Sequence, residues 1–220
     1  MKIIKANNIN SAFIKICKEL YTNGIIVSPR GLKTKEIQNC LISFSGSESP
    51  IIDIEERNLS IKYLEAELKW YKSGNPEISY ISKYSNFWKN LVDENNTANS
   101  NYGKLALWDK YNGKSQFKWC VESLQKDQNS RQAVINYNQP THKYKNNKDF
   151  VCTLAQQFIV NNNKLDTIVF MRSNDLIYGF SYDVPWFHYL HNFLAEILKI
   201  KVGEYRHFAT SMHVYERHFN

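Results

Sequence analysis

Little in this sequence points away from an ordinary globular protein. Its four cysteines, Cys17, Cys40, Cys120 and Cys152, are scattered, with no Cys-x-x-Cys pair and none of the density of a secreted disulfide scaffold. That pattern predicts free thiols, most of them buried, in an intracellular protein, and no metal site. No apolar run reaches the roughly 18 residues that a membrane helix needs, and the lysines of the leading MKIIKANNIN are not followed by the apolar core of a signal peptide. The expectation is a soluble, cytoplasmic chain without membrane contact. Internal repeats are absent, and the Asn runs at 146–147 and 161–163 are short enough to be loop tips. Hydrophobic residues at 43% against charged residues at 22% exclude a disordered tail or a fibrous rod.

What is present fits one folded body. A chain of 220 residues lies close to the usual roughly 100–200 residues per domain, so a single domain over 1–220 is expected. Such a chain buries about 70% of its unfolded surface and needs no disulfide or metal staple. The net charge of +7 attracts anions, which leaves nucleotides, nucleic acid and acidic lipid all open. The lysines are dispersed rather than clustered, which weighs against a dedicated nucleic-acid face.

Periodicity sets the order of elements. Ile9, Phe13, Ile16, Cys17 and Leu20 recur at helical spacing, with Gly24 as a stop signal. Ile25 to Val27 reads as a short strand, Ser28 to Gly31 as a turn, and Lys35 to Phe44 as a strand leading into a loop at Ser45 to Pro50. A helix follows with Leu64, Leu68 and Tyr71 on one face, then polar loops around an aromatic patch from Tyr80 to Trp88. A helix at Phe117 to Leu124 precedes strands at Ala133 to Tyr137, Phe150 to Val160 and Leu165 to Met171. Val184 to Ile200 is a long apolar helix, and Glu204 to Tyr215 closes as a strand. The mixture predicts an α+β fold, one mixed sheet covered by helices.

Cys152 taken alone is a buried thiol of the common inert kind. Its company alters that reading: Arg172-Ser-Asn-Asp175 follows one strand later, Asp183 opens the long helix, and His213-Val-Tyr215 ends the last strand. A thiolate needs positive charge nearby, and an Arg-Ser pair at a strand end suits a phosphate.

From Ser130 to His218 the chain resembles the thymidylate synthase superfamily, and within it is most similar to the bacteriophage deoxycytidylate hydroxymethylases. The motifs are Ser130-Arg131, Cys152, Met171-Arg-Ser-Asn-Asp175, Tyr178-Gly-Phe-Ser-Tyr-Asp183 and Ser211-Met-His-Val-Tyr-Glu-Arg-His-Phe219. Upstream, Glu65-Ala-Glu-Leu-Lys-Trp-Tyr71 and Asn99-Ser-Asn-Tyr-Gly-Lys104 match the family's glutamate helix and its Tyr-Gly-Lys loop. The resemblance implies a twisted mixed sheet covered by helices and a one-carbon transferase of the hydroxymethyltransferase type. It also implies a homodimeric site that takes a pyrimidine nucleoside monophosphate and 5,10-methylenetetrahydrofolate as co-substrate.

By the same resemblance, Cys152 is the nucleophile that adds to C6 of the pyrimidine and turns C5 into a carbon nucleophile. Glu67 is the general acid/base carboxylate beside the ring. Arg172 and Ser173 hold the phosphate, Arg131 reaches it from the neighbouring subunit, and Arg30 is a further phosphate ligand. Gln132 stands where the family commonly has a second arginine. His213 and Tyr215 address the sugar 3′-hydroxyl, while Trp88, Asp175 and Gly179 face the folate. Asp183 replaces the asparagine of the synthases; a carboxylate only accepts hydrogen bonds, which suits the 4-amino group of cytosine and a protonated N3. The implied product is 5-hydroxymethylcytidylate, by water addition to an exocyclic methylene. Read without the family, Glu67 is a solvated helix glutamate, the arginines are surface ion-pair residues, Trp88 is core, and Asp183 is a helix-start residue ahead of Pro185.

Family members continue past the His-x-Tyr strand into a segment that closes over the folate, whereas this chain ends five residues after Tyr215. The closing segment is therefore expected to be missing. Two alternatives remain at this stage: a synthase-like enzyme on dUMP or a hydroxymethylase on CMP, and a catalytically impaired relative that binds nucleotide or nucleic acid. A phage source, with the host cytoplasm as its location, fits the resemblance.

Overall fold

The structure, a computed structural model, describes residues 1–92 and 95–219. In chain order the strands and α-helices are β1 (Lys2–Lys5), α1 (Ile9–Asn23), β2 (Ile25–Val27), β3 (Thr34–Ser45), α2 (Ile61–Ser73), β4 (Lys110–Tyr111), β5 (Lys114–Ser115), α3 (Gln116–Lys126), β6 (Val134–Asn136), β7 (Thr153–Asn161), β8 (Lys164–Met171), β9 (Asn174–Asp175), α4 (Ser181–Leu198) and β10 (Lys201–Tyr215). Two π-helical turns, Lys104–Trp108 and Leu176–Phe180, complete the path with several short 3-10 turns. Contacts divide the chain into two compact units, Met1–Leu59 with Phe158–Asn220, and Ser60–Gln157.

The first unit is built on a mixed sheet in the order β1-β3-β10-β8, with β2 on β3 and β9 on β10. β1 runs parallel to β3, β3 antiparallel to β10, and β10 parallel to β8. Parallel neighbours need crossovers, and α1 and α4 supply them. α1 starts at a capping box in which Ser11 N–H donates to Asn8 Oδ1 at 2.9 Å and Asn8 N–H donates to Ser11 Oγ at 3.2 Å. It buries Ile9, Ala12, Phe13, Ile16 and Leu20. Alternation then sorts the sheet into two faces. Ile4, Ile42, His207 and Val169 form one buried row across β1, β3, β10 and β8. On the opposite face the next row is Ile3, Leu41, Phe208 and Phe170, half-buried or exposed throughout.

The second unit holds α2, α3, the β4–β5 hairpin and β6, which pairs antiparallel with the start of β7. Ser60 Oγ caps α2 by accepting from Tyr63 N–H, and Gly74 ends it in the left-handed conformation. α2 buries Leu64, Ala66, Glu67, Trp70 and Tyr71, while Leu68 is only half-buried. The buried stripe is thus rotated by one position from the one expected, and it carries a glutamate.

The α+β class and the mixed sheet agree with the sequence reading, and several boundaries differ. The strand expected from Phe150 begins only at Thr153, because the Val151 carbonyl accepts Asn138 Nδ2–H at 2.8 Å in place of a neighbouring strand's N–H. Cys152 therefore sits just ahead of β7. The long helix starts at Ser181 and not at Val184, since the π turn Leu176–Phe180 runs directly into it; Asp183-Val-Pro185 is an interior first turn, not a start. β1 was too short to show an alternation of its own.

Candidate active site

In the second unit the chemistry begins with α2. Glu67 is buried at 5% exposure, and burial pushes its carboxyl up to about 7, while hydrogen bonds from the Tyr63 and Tyr71 hydroxyls pull it back down. Both tyrosines lie four residues away, one turn to either side. Tyr63 Oη donates to Glu67 Oε1 at 2.5 Å and accepts from Trp88 Nε1–H at 3.0 Å. Trp88 is buried edge-on to Trp70, with centroids 4.7 Å apart at 66°. The result is a line of three polar groups, Trp88 to Tyr63 to Glu67, inside an aromatic cluster.

Cys152 is half-buried, its Sγ 4.0 Å from the Phe150 carbonyl, and the next residue, Thr153, has a buried hydroxyl without a hydrogen-bond partner among the described residues. The segment before it is tied down at Asp149, whose Oδ2 accepts from both Ser100 N–H and Ser100 Oγ at 2.8 Å. Asn99 Nδ2–H donates to the Asp149 carbonyl at 3.1 Å. The loop that supplies Asn99 and Ser100 also presses on α2: a Cβ at Gly103 would stand 1.6 Å from the Tyr71 carbonyl oxygen. Asn99 to Lys104 therefore braces the segment carrying Cys152 and the helix carrying Glu67 with one piece of chain. Arg131 is exposed, and its carbonyl is held by Gln157 Nε2–H at 3.1 Å.

The first unit gathers most of the remaining residues around the end of β8. Arg172 and Ser173 directly follow that strand and are half-buried. Asp175 Oδ1 caps the π turn by accepting from Ile177 N–H at 2.6 Å and Tyr178 N–H at 2.8 Å. Its second oxygen is buried and has no hydrogen-bond partner among the described residues, an acceptor suited to an N–H-bearing ligand. Asp183 Oδ2 accepts from Asn174 Nδ2–H at 2.8 Å, and Gly179 lies against both side chains. His213 and Tyr215, two apart on β10, meet edge-to-face at 5.4 Å. Arg30 is exposed in a 3-10 turn with φ of 53°.

The structure also brings forward residues that sequence reasoning passed over. Arg57 anchors the π turn through Nη2–H to the Ile177 carbonyl at 2.5 Å and Nε–H to Ser181 Oγ at 3.2 Å, lying over the Tyr182 ring. Asn174 and His207 are buried polar residues bonded to each other. Tyr63 was detectable, since it precedes Glu67 by one helical turn; Arg57 carried no signal because its partners lie about 120 positions away. Among the described residues no group of three or more His, Cys, Asp or Glu could hold a metal ion, and no helix is long and apolar enough to cross a membrane.

Comparisons with known proteins agree with the motifs. The thymidylate synthase family model matches residues 11–220. Deoxycytidylate 5-hydroxymethyltransferase of Enterobacteria phage T4 is 32% identical over 206 residues, 88% of this chain and 80% of that protein. Deoxyuridylate hydroxymethyltransferase of Bacillus phage SP01 is 29% identical over 214 residues, 92% of this chain and 56% of that protein. Thermostable thymidylate synthase A from Bacillus subtilis shares the fold, with a TM-score of 0.77 at 21% identity over 96% of this chain and 81% of that one. The chain belongs to the thymidylate synthase family and, with it, to the one-carbon-transferring enzymes.

Proposed function

We propose that this chain is a deoxycytidylate 5-hydroxymethyltransferase that acts on dCMP with 5,10-methylenetetrahydrofolate as co-substrate. The observation that carries the choice of base is Asp183: a carboxylate held by Asn174 stands where the synthases have an asparagine. An acceptor-only side chain pairs with the 4-amino group of cytosine and opposes the O4 of uracil. The T4 relative, named for deoxycytidylate, supports the same substrate.

In this reading Cys152 adds as thiolate to C6, and the electron pair moves to C5, which bonds to the one-carbon unit that the folate supplies. Glu67, with a carboxyl titrating near neutrality, exchanges protons around the ring. Arg172 and Ser173 hold the phosphate with Arg30, and His213 and Tyr215 receive the sugar. Asp175 offers its buried second oxygen to a pterin N–H, and the family resemblance assigns Gly179 and Trp88 to the folate as well. C5 then gives up its proton as the bond from the one-carbon unit to tetrahydrofolate breaks, which leaves an exocyclic methylene. Water adds to that methylene and the Cys152 thiolate leaves C6, restoring the C5–C6 double bond and leaving a hydroxymethyl group at C5.

The active form is proposed to be a homodimer, with Arg131 reaching the partner's phosphate. The half-exposed row Ile3, Leu41, Phe208 and Phe170 supports this, because four apolar side chains in register across one sheet face form a patch that a second copy can cover. The enzyme would work in the cytoplasm of a phage-infected host, without membrane or nucleic acid as partner.

A second reading, deoxyuridylate as substrate, is favoured by the SP01 relative, which is named for deoxyuridylate. Incubating the protein with methylenetetrahydrofolate and equal dCMP and dUMP, then identifying products by mass spectrometry, separates the two. 5-Hydroxymethyl-dCMP as the main product supports the proposal, and 5-hydroxymethyl-dUMP or dTMP overturns it.

A further inference from the structure

Behind Asp183 lies a line of buried polar groups inside the first unit. His207 sits in the middle of the helix-covered face of the sheet, in the row with Ile4, Ile42 and Val169, and is 0% exposed. A polar group in such a place costs free energy unless each of its atoms is used. Its Nε2 is 3.0 Å from Asn174 Oδ1, its Nδ1 is 3.3 Å from Tyr205 Oη, and Phe180 packs edge-on against its ring at 5.2 Å. Asn174 is itself buried and spends its other amide atom on Asp183 Oδ2 at 2.8 Å.

The direction of each bond follows from elementary chemistry. Burial drives the His207 imidazole down to about 3, so the ring is neutral and has one N–H. The Asn174 oxygen requires that N–H on Nε2, which leaves Nδ1 to accept from the Tyr205 hydroxyl. With its oxygen engaged by His207, the amide of Asn174 turns its NH2 toward Asp183. A flipped amide would set its oxygen against the carboxylate oxygen of Asp183, which can only accept. Gly179 makes room for this arrangement: a Cβ there would stand 2.6 Å from Asn174 Nδ2 and 3.3 Å from Asp183 Oδ2.

We infer that Tyr205, His207 and Asn174 form a positioning relay that fixes the plane of the Asp183 carboxylate and so sets the preference for cytosine over uracil. The inference rests on the proposed reading of Asp183 as the residue that meets the base. Asn174 and His207 are positioning residues, acting through Asp183 and not on the nucleotide.

The test compares wild type with Asn174→Ala, His207→Phe and the milder Tyr205→Phe, which removes one hydroxyl. For each, kcat/KM is measured with dCMP and with dUMP, and inhibition by deoxyribose 5-phosphate is measured as a readout of phosphate and sugar binding. Losing a hydrogen bond that orients a charged group is expected to lower the dCMP-to-dUMP ratio roughly 10- to 100-fold in Asn174→Ala and His207→Phe. A smaller drop is expected in Tyr205→Phe, with sugar-phosphate inhibition unchanged in all three. Variants that keep the wild-type ratio, or lose turnover of both nucleotides equally, overturn the relay while leaving the base reading intact. A wild-type protein without preference for dCMP overturns both.

Discussion

Tyr63 donates its hydroxyl hydrogen to Glu67 Oε1 at 2.5 Å from one helical turn away, while receiving Trp88 Nε1–H at 3.0 Å. Burial raises the Glu67 carboxyl from 4.5, and the two tyrosine hydroxyls stop the rise at about 7. A group that titrates there is protonated and ionised in comparable amounts at neutral pH, which is what a residue that both gives and takes protons requires.

Removing one of those hydroxyls leaves burial less opposed. Tyr63→Phe is expected to move the Glu67 titration further up, by about one unit for one lost charge-directed hydrogen bond. The pH profile of C5 hydrogen exchange should show its ascending limb displaced to higher pH. An unmoved limb would mean that Glu67 is not the group titrating in the profile.

Glu67 also predicts how stability responds to pH. Below 4.5 it is protonated folded and unfolded, and burial carries no ionic cost. Between 4.5 and about 7 the unfolded chain ionises while the folded chain keeps the proton, so stability falls as pH rises, by at most about 3 kcal/mol. His207 and His191 act in the opposite sense: burial depresses them to about 3 and about 4, so their contribution is present above 6.5 and lost as pH falls through those values. Urea denaturation from pH 4.5 to 8 should therefore show Glu67→Gln gaining on the wild type as pH rises.

Of the glycines in the second unit, Gly103 has the least room for a side chain. With a Cβ only 1.6 Å from the Tyr71 carbonyl oxygen, Gly103→Ala must displace either the loop or α2, at a cost expected to exceed about 3 kcal/mol. Gly113, with φ of +82° and nothing within 4 Å of its Cβ position, supplies the comparison. Gly113→Ala should cost about 1 kcal/mol, by backbone strain alone. Equal denaturation midpoints for the two variants would contradict the bracing role of the Asn99 to Lys104 loop.

Phe170 and Phe208 are register neighbours on β8 and β10, with ring centroids 6.3 Å apart on the half-exposed sheet face. Phe208→Glu places a charge in the centre of the proposed subunit contact. Sedimentation should find the wild type dimeric and this variant monomeric; a wild-type monomer at micromolar concentration would remove the dimer from the proposal.

Elements with a clean period were legible in the sequence. α1, β3, β8 and the final strand fall within a few residues of where apolar spacing puts them, because each buries a single face. Boundaries set by side chains were not legible. The Asn138 amide takes the Val151 carbonyl and delays β7, and a π turn extends α4 backwards past the Asp-Val-Pro signal. The motifs named Cys152, Glu67 and Asp183, but what surrounds them depends on partners distant in sequence, as with His207 and Asn174, 33 positions apart. No local pattern reports that a histidine on a buried strand face will find an amide there.

The most direct test of the proposed chemistry is release of tritium from [5-³H]dCMP, with and without methylenetetrahydrofolate, by the wild type and by Cys152→Ser. Folate-dependent release by the wild type and none by the variant is the expected result, since C5 loses its hydrogen only after the thiolate has added to C6. Bound dCMP with no release under either condition would contradict it.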